Sequence, residues 1–267
     1  MGAAVINALP GNSNPQTTSA QLAVPGLESG ACISYAARGR SQATVFIDPG
    51  HGGLDPGVVG KQVAEKDATL AVATDLSSML RADGYRVVMA RTQDTAVAKL
   101  TGTDSVYGSL TADAAHRDLI TRAACANASN ASVLISIHFD GFDDPTVGGT
   151  ETFYDAARSF SADNKRLATD LQSAMVASLG TSDRGVWTDD QLANPALTSS
   201  GNAYGHLIEL GPALAGWVDS PSTMPGALVE PLFITDPTEA ALAVDPAGQK
   251  KIARALEAGL AKYLTGA

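Results

Sequence analysis

Two histidines of this chain directly follow apolar segments whose composition predicts buried strands. His51 comes after Thr44–Ile47, in a loop rich in glycine and proline, and His138 comes after Ser132–Ile137. Glu65 begins a segment with the apolar spacing of a helix. Two imidazoles and one carboxylate are a common ligand set for zinc, and they leave one coordination position open for water. These residues predict a hydrolytic site that holds one Zn2+.

A hydrolase of this kind also needs a general base, and Glu209 is the candidate. It lies near the end of residues 204–210, which are predicted to form another apolar strand. Parallel strands that end at one edge of a sheet would bring Glu209 to the two histidines. There it would take a proton from water and pass it to a leaving amine. A buried acid with a structural role is the alternative, and His206, three residues earlier, is predicted to be structural because it would face the other way.

Strand and helix patterns alternate along the chain. Strands are predicted at residues 42–47, 85–90, 132–137, 149–154 and 204–210, and helices at residues 65–82, 112–128, 161–179 and 246–264. Two polar stretches, residues 92–111 and 181–202, are predicted to be loops. The alternation predicts one α/β domain with a mostly parallel, twisted sheet and helices on both faces. We expect residues 1–40 to be a leader that is ordered at most in part, and residues 41–267 to be the catalytic domain.

The charge and the apolar patterning exclude several classes of partner. The 267 residues include 28 acidic and 18 basic ones, for a net charge of -10, which argues against binding to nucleic acid or to an anionic membrane. No segment approaches the roughly 18 consecutive apolar residues of a membrane span. Residues 1–31 contain no Lys or Arg, so the basic region of a signal peptide is missing. The protein is therefore either cytosolic or secreted with its signal removed, and the polar leader favours the second. We expect a monomer.

Cys32 and Cys125 are the two cysteines of the chain, so a single pairing is open to them. A disulfide between them would close a loop of about 94 residues and would favour an extracytoplasmic location. The alternative is that both are small, unpaired apolar residues of the core.

The order of several short motifs resembles a known family, the zinc-dependent N-acetylmuramoyl-L-alanine amidases of the amidase_3 type, which cleave peptidoglycan. The resemblance extends from Val45 to Gly211. The matching segments are Ile47–Gly57, Glu65–Asp67, Arg122 with Ala126–Asn127, Ser136–His138 and Glu209–Gly211. It implies hydrolysis of the amide between the lactyl group of N-acetylmuramic acid and L-alanine of the stem peptide. By position, it implies zinc ligation by His51, Glu65 and His138 and catalysis by Glu209.

The resemblance also indicates where substrate would bind. Family members often continue after the second histidine with a small residue and Asn-Ala, whereas Phe139-Asp140-Gly141 stands here, so Asp140 becomes a candidate substrate contact. Arg184 and Gly185 are further candidates, because a guanidinium binds carboxylates in a bidentate manner. A loop salt bridge is the alternative for Arg184. Muropeptides are the expected partners. Two rival functions are another zinc peptidase or deacetylase and a non-catalytic muropeptide-binding protein of the same fold.

Overall fold

The computed structural model describes residues 19–40, 42–191 and 204–266. The strands are β1 Ser19–Gln21, β2 Ala31–Tyr35, β3 Thr44–Pro49, β4 Arg86–Arg91, β5 Ser105–Val106, β6 Ser109–Leu110, β7 Val133–Ile137, β8 Thr150–Tyr154, β9 Asp183–Thr188 and β10 Gly226–Glu230. The α-helices are α1 Glu65–Ala82, α2 Ala112–Ser129, α3 Ser161–Leu179, α4 Pro237–Val244 and α5 Pro246–Thr265.

Eight strands form one mixed sheet in the order β1-β2-β4-β3-β7-β10-β8-β9, and β5 and β6 form a separate hairpin. The central strands β4, β3, β7 and β10 are parallel, and β8 runs antiparallel to β10 and parallel to β9. The carboxyl ends of β3, β7 and β10 therefore lie at the same edge of the sheet as the starts of β8 and β9. This arrangement confirms the predicted α/β class with a mostly parallel sheet between helices.

Alternation along the central strands builds two cores, one on each face of the sheet. Val45 and Ile47 of β3 pack with α1, α3 and α5, whereas Phe46 between them packs with α2 on the other face. All three side chains are fully buried. Burial of each such side chain stabilises the fold by about 1.5–3 kcal/mol. Strands that are apolar on both faces suit the centre of a parallel sheet covered on both sides.

The face that carries α2 is completed by residues 204–225, which we name the cover segment. Its side chains Tyr204, Ile208, Trp217 and Val218 form a small cluster that packs against α2. Leu210 and Met224 pack into the core beneath, next to the sheet. An irregular segment thus takes the place that a second helix would occupy on this face.

The predicted strand at residues 204–210 is wrong. The backbone N–H groups of Leu210 and Gly211 both donate to the carbonyl of Leu207, so the chain forms a turn. The apolar side chains of this stretch are buried because they lie on the sheet, and they are not part of it. The strand beside β7 is β10, residues 226–230, which the sequence analysis does not predict. β9, residues 183–188, also occupies a stretch predicted to be loop.

Within the described residues, two strands precede the first predicted one. β1 and β2 lie within residues 1–40 and continue the sheet beyond β4 by antiparallel pairing. The boundary between a leader and a catalytic domain at residue 41 stays a prediction, and residues 1–18 of that leader lie outside the described residues. The disulfide between Cys32 in β2 and Cys125 in α2 is present, which confirms the predicted pair. Of the helices described, none has the length and hydropathy needed to cross a bilayer.

We expect the disulfide to contribute strongly to stability, because it joins residues 93 positions apart. Replacing both cysteines by alanine should lower the free energy of unfolding by about 4 kcal/mol, chiefly because the unfolded chain regains entropy. Urea unfolding followed by circular dichroism measures this difference. Reduced wild type is the control for lost packing and should unfold close to the variant. Equal urea midpoints for oxidised and reduced wild type would contradict the prediction.

Candidate metal centre

The loop after β3 places His51 beside the end of β7. Pro49 pairs with Ile137, and the N–H of Gly50 donates to the carbonyl of Ile137 at 2.9 Å. A Cβ on Gly50 would lie 2.3 Å from Cε1 of His138, so only glycine allows this close approach. His51 has φ of 62°, a left-handed conformation that non-glycine residues rarely adopt and that is common at functional sites.

Arg122 of α2 binds the backbone of this loop. Its guanidinium donates to the carbonyls of Pro49 at 2.9 Å and His51 at 2.6 Å. It also pairs with the carboxylates of Asp48 at 2.7 Å and Asp118 at 2.9 Å. Arg122 is buried, and the two carboxylates offset the cost of removing its charge from water. The loop conformation therefore depends on contacts with α2.

Arg91, at the end of β4, supplies a second set of donors. Its guanidinium is fully buried and donates to the carbonyls of Pro49 at 3.0 Å, Gly50 at 2.8 Å and Lys66 at 2.7 Å. It thereby joins the histidine loop to the first turn of α1, where Glu65 lies. Its local sequence does not distinguish Arg91, because these acceptors are backbone carbonyls that meet it only in the folded chain.

The three predicted ligands lie together. Nε2 of His51 is 3.0 Å and Nδ1 of His138 is 2.9 Å from Oε1 of Glu65, and the two nitrogens are 3.1 Å apart. Three Lewis-basic atoms that converge in this way match the donor set of a zinc site with an open position. Burial opposes a charge on His51, but its contacts with Asp55 and Glu65 outweigh burial and raise its pKa to about 9. A dication would displace that proton.

Asp55 fixes the orientation of His51. Its Oδ2 lies 2.8 Å from Nδ1 of His51, so Nδ1 carries the proton and Nε2 presents its lone pair to the other two ligands. Asp48, the acid nearest to His51 on its N-terminal side, does not take this role, because it pairs with Arg122 and with the hydroxyl of Ser136. The spacing of Asp55, four residues after His51 across a glycine turn, is the signal that could have identified it.

Glu209 lies on the α2 side of the site and faces Asp48. Burial and the Asp48 carboxylate raise the pKa of Glu209 well above its ordinary value, whereas Arg122, despite burial, lowers the pKa of Asp48 to about 2. A cavity of about 230 Å³ lies between α2, the cover segment and the histidines, and Glu209 is part of its wall. The structure therefore brings Glu209 near His51 and His138 by a turn of the cover segment, without the predicted strand.

Glu230 is a functional candidate that the sequence analysis missed. It ends β10, whose Val229 pairs with Ile137, so Glu230 stands next to His138 in parallel register. Its Oε2 is buried and has no hydrogen-bond partner in the described parts of the chain. Burial and the carboxylates of Glu65, Asp140 and Glu151 raise its pKa well above the ordinary value. The run Gly226-Ala-Leu-Val-Glu230, an apolar strand that ends in an ionisable residue, repeats the pattern that identified His138.

The predicted substrate contacts lie at the same edge of the sheet. Asp140 follows His138 by two residues, and burial together with the Glu151 carboxylate raises its pKa to about 7. Glu151, at the start of β8, accepts from Nε of Arg184 at 2.9 Å. Gly185 follows in β9 with φ of 102°. Arg184 thus makes the salt bridge considered as its alternative, and the substrate role of Asp140, Arg184 and Gly185 stays a prediction.

The chain matches a protein-family model and is similar to known amidases. Residues 45–262 match the family model Amidase_3, described as N-acetylmuramoyl-L-alanine amidase, and this range includes β10 and Glu230. The chain is 31% identical over 220 residues to the amidase LytC of Bacillus subtilis (strain 168), covering 82% of this chain and 35% of LytC. It is 32% identical over 221 residues to the germination-specific amidase of the same organism, covering 83% and 79%.

Solved structures show the same fold. The CwlD amidase from Clostridioides difficile, in its complex with the GerS lipoprotein, superposes with a TM-score of 0.67 at 26% identity, and the match covers 85% of this chain and 100% of that one. The chain spans about a third of the length of LytC and about four fifths of the germination-specific amidase.

We expect Asp55→Asn to weaken zinc binding by about 10- to 100-fold, because the amide no longer holds His51 as the correct tautomer. Competition with a chromogenic chelator measures the affinity. Asp67→Asn, an exposed carboxylate in the same first turn of α1 as Glu65, is the matched control and should bind as wild type does. An affinity of Asp55→Asn equal to that of wild type would refute the orienting role.

We expect Glu209→Gln to become more stable relative to wild type as the pH rises above 4.5, the ordinary pKa of this carboxyl. Above that pH the unfolded chain loses the proton that folded Glu209 retains, so the wild type alone loses stability. Asp48→Asn is the opposite case, because in the folded protein Arg122 lowers the pKa of the Asp48 carboxyl to about 2 despite its burial. Its destabilisation should be complete above pH 3.8 and shrink as the pH falls towards 2.

Thermal unfolding of metal-free protein across this pH range measures both differences. A pH-independent difference between Glu209→Gln and wild type would show that Glu209 ionises normally in the folded protein.

Proposed function

The chain belongs to the Amidase_3 family of N-acetylmuramoyl-L-alanine amidases, and from this membership we propose that it hydrolyses the amide between the lactyl group of N-acetylmuramic acid and L-alanine of a peptidoglycan stem peptide, with one Zn2+. The observation that carries the proposal is the convergence of His51, Glu65 and His138, whose donor atoms lie 2.9–3.1 Å apart. A spacing this short requires a proton or a cation at the centre. The His/Glu/His composition favours zinc among the divalent metals.

Each residue around this centre then has a physical task. When bound, zinc would lower the pKa of a water molecule and polarise the scissile carbonyl. Asp55 holds His51 in the tautomer that offers Nε2. Glu65 offers Oε1, while its Oε2 accepts from the N–H of Val58 at 2.8 Å and keeps the carboxylate in place. Burial of Glu65 keeps bulk water from competing for that position.

Two carboxyl groups compete for the role of proton carrier. The assignment to Glu209 stays a prediction, and the structure offers Glu230 as a rival, which we favour for two reasons. Glu230 is adjacent to His138 in the sheet and close enough to Glu65 for their charges to interact. Glu209 instead faces Asp48 and Arg122, which belong to the support of the loop. A carboxyl with a raised pKa can accept a proton from the attacking water and return it to the leaving nitrogen of L-alanine.

Substrate recognition would use the same edge of the sheet. Asp140 follows β7, Arg184 and Gly185 lie in β9 beyond Glu230 along this edge, and the stem peptide would extend from the scissile bond across them. Muropeptides are therefore the proposed partners, and we propose that the enzyme acts outside the cytoplasm as a monomer. The Cys32–Cys125 disulfide supports that location, because disulfides persist in oxidising compartments.

Metal content and product mass test this function together. Wild type, Glu230→Gln and Glu209→Gln would be incubated with a defined muropeptide, and the products identified by mass spectrometry. We expect zinc near one equivalent at this site in all three, with free stem peptide from wild type. Loss of the proton carrier should slow release by about 10²- to 10⁴-fold. We expect this loss in Glu230→Gln, with Glu209→Gln retaining most of its activity.

Glu257→Gln, a substitution on α5 outside the site, is the matched control and should release product as wild type does. The reverse ranking of the two glutamine variants would return the role to Glu209. Loss of an acetyl group from the muropeptide, without free stem peptide, would identify a deacetylase. Binding of intact muropeptide that survives metal removal would identify a binding protein. Either of the last two results would overturn the amidase assignment.

A further inference from the structure

A second group of potential metal ligands lies at the other edge of the sheet. β8 and β9 run opposite to β10, so their carboxyl ends lie away from His138 and Glu230. Asp155 directly follows β8, and Asp189 directly follows β9. His206 reaches them from the cover segment. Both aspartates are buried, with 0% and 1% of their surface exposed, and the His206 side chain is 25% exposed.

The three side chains converge on one point. Nδ1 of His206 lies 3.0 Å from Oδ2 of Asp155 and 3.2 Å from Oδ1 of Asp189. The remaining carboxylate oxygens are engaged elsewhere: Oδ1 of Asp155 accepts from the N–H groups of Ala157 and Arg158, and Oδ2 of Asp189 accepts from the N–H of Leu207. These contacts aim one free oxygen of each aspartate at the histidine nitrogen.

A simple ion pair does not account for this arrangement. Nδ1 carries at most one proton and donates it to one carboxylate at a time. Oδ2 of Asp155, although fully buried, makes no hydrogen bond to any residue that the structure describes. The neighbouring cation, Arg158, interacts with the charge of Asp155 but gives this oxygen no hydrogen bond, because its guanidinium donates to the carbonyls of Leu210 and Gly211. A buried carboxylate oxygen without a donor is costly.

We propose that Asp155, Asp189 and His206 bind a first-row transition-metal dication such as zinc, at a site separate from the candidate catalytic centre. One lone pair from each of the three atoms would reach the metal, and these atoms all lie within 4.8 Å of one another. One imidazole with two carboxylates suits zinc and related metals, whereas magnesium and calcium prefer ligand sets made of oxygen alone. The inference does not depend on the proposed function.

The position of this site suggests what the metal does for the protein. His206 lines the cavity beside His51 together with Leu207, Ile208 and Glu209, which follow it in the chain. The metal would tie this turn of the cover segment to the ends of β8 and β9. It would therefore be a structural metal that fixes one wall of the cavity next to the catalytic centre.

Zinc stoichiometry in the full chain tests the proposal. We expect wild type to bind two zinc ions, and the variant His51→Ala with His138→Ala to bind one. Adding His206→Asn to that variant should abolish zinc binding. Asparagine can place a donor near the position of Nδ1, so it preserves a hydrogen bond to one aspartate while removing the metal ligand. Elemental analysis after gel filtration gives the stoichiometry, and circular dichroism confirms that each variant is folded.

Two further measurements make the result specific. Zinc should raise the unfolding temperature of the His51→Ala, His138→Ala variant, and this rise should disappear with His206→Asn. His116→Asn is the matched control: His116 also packs at the cover segment, with Nε2 2.8 Å from the carbonyl of Trp217, and its removal should leave the stoichiometry unchanged.

One zinc in wild type and none after loss of His51 and His138 would overturn the second site and leave the proposed amidase function intact. One zinc retained in that variant, together with a wild type that releases no stem peptide, would support the second site while the amidase proposal fails.

Discussion

The guanidinium of Arg122 holds the Pro49–His51 loop by its carbonyl oxygens, and the geometry of the candidate catalytic site depends on this contact. A buried arginine is unfavourable unless its charge and its N–H donors are all satisfied. Asp48 and Asp118 supply the charge, and the loop carbonyls supply the remaining acceptors. Arg91 repeats the arrangement from β4. Backbone held in this way can keep a residue such as His51 in a left-handed conformation, whose strain the surrounding contacts offset.

The reversal of β8 and β9 explains why so many carboxylates gather at one edge. The ends of β3, β7 and β10 contribute His51, His138 and Glu230, and the starts of β8 and β9 contribute Glu151 and Arg184. Several acids placed this close together raise one another's pKa unless a cation intervenes. Glu65, in direct contact with both histidines, has a lowered pKa, whereas the pKa of Glu230, farther along the edge, is raised. The pKa values of the two glutamates thus shift in opposite directions because of their neighbours, as expected for a candidate ligand and a candidate proton carrier.

The predictable parts of this molecule are those in which a local pattern and the tertiary structure agree. α1, α3 and the strands β3, β4 and β7 follow from their local sequence patterns, and the candidate ligands at the ends of β3 and β7 follow from the rule for parallel sheets. The strand predicted around Glu209 is wrong because apolar residues can be buried either within a sheet or on top of one. Ile208 is buried by its packing on α2, yet it and its apolar neighbours have the sequence pattern of a strand. The loop predicted at β9 is wrong for the opposite reason, because this strand is polar and is not buried. The roles of Arg91 and of the Asp155–Asp189–His206 group depend on contacts between residues that meet only after folding.

The bond between Cys32 and Cys125 also divides the chain into a closed ring and a tail. The ring contains β3, α1, β4 and most of α2, and so carries His51, Glu65, Arg91 and Arg122. His138 and Glu230 lie outside it, on β7 and β10. In an unfolded but oxidised chain, the ring raises the effective concentration of the arginines near the histidine loop, because chain closure removes many extended conformations. Oxidation therefore favours a folding order in which the loop and its support assemble first, and the candidate ligand His138 and the candidate proton carrier Glu230 join as β7 and β10 add to the sheet.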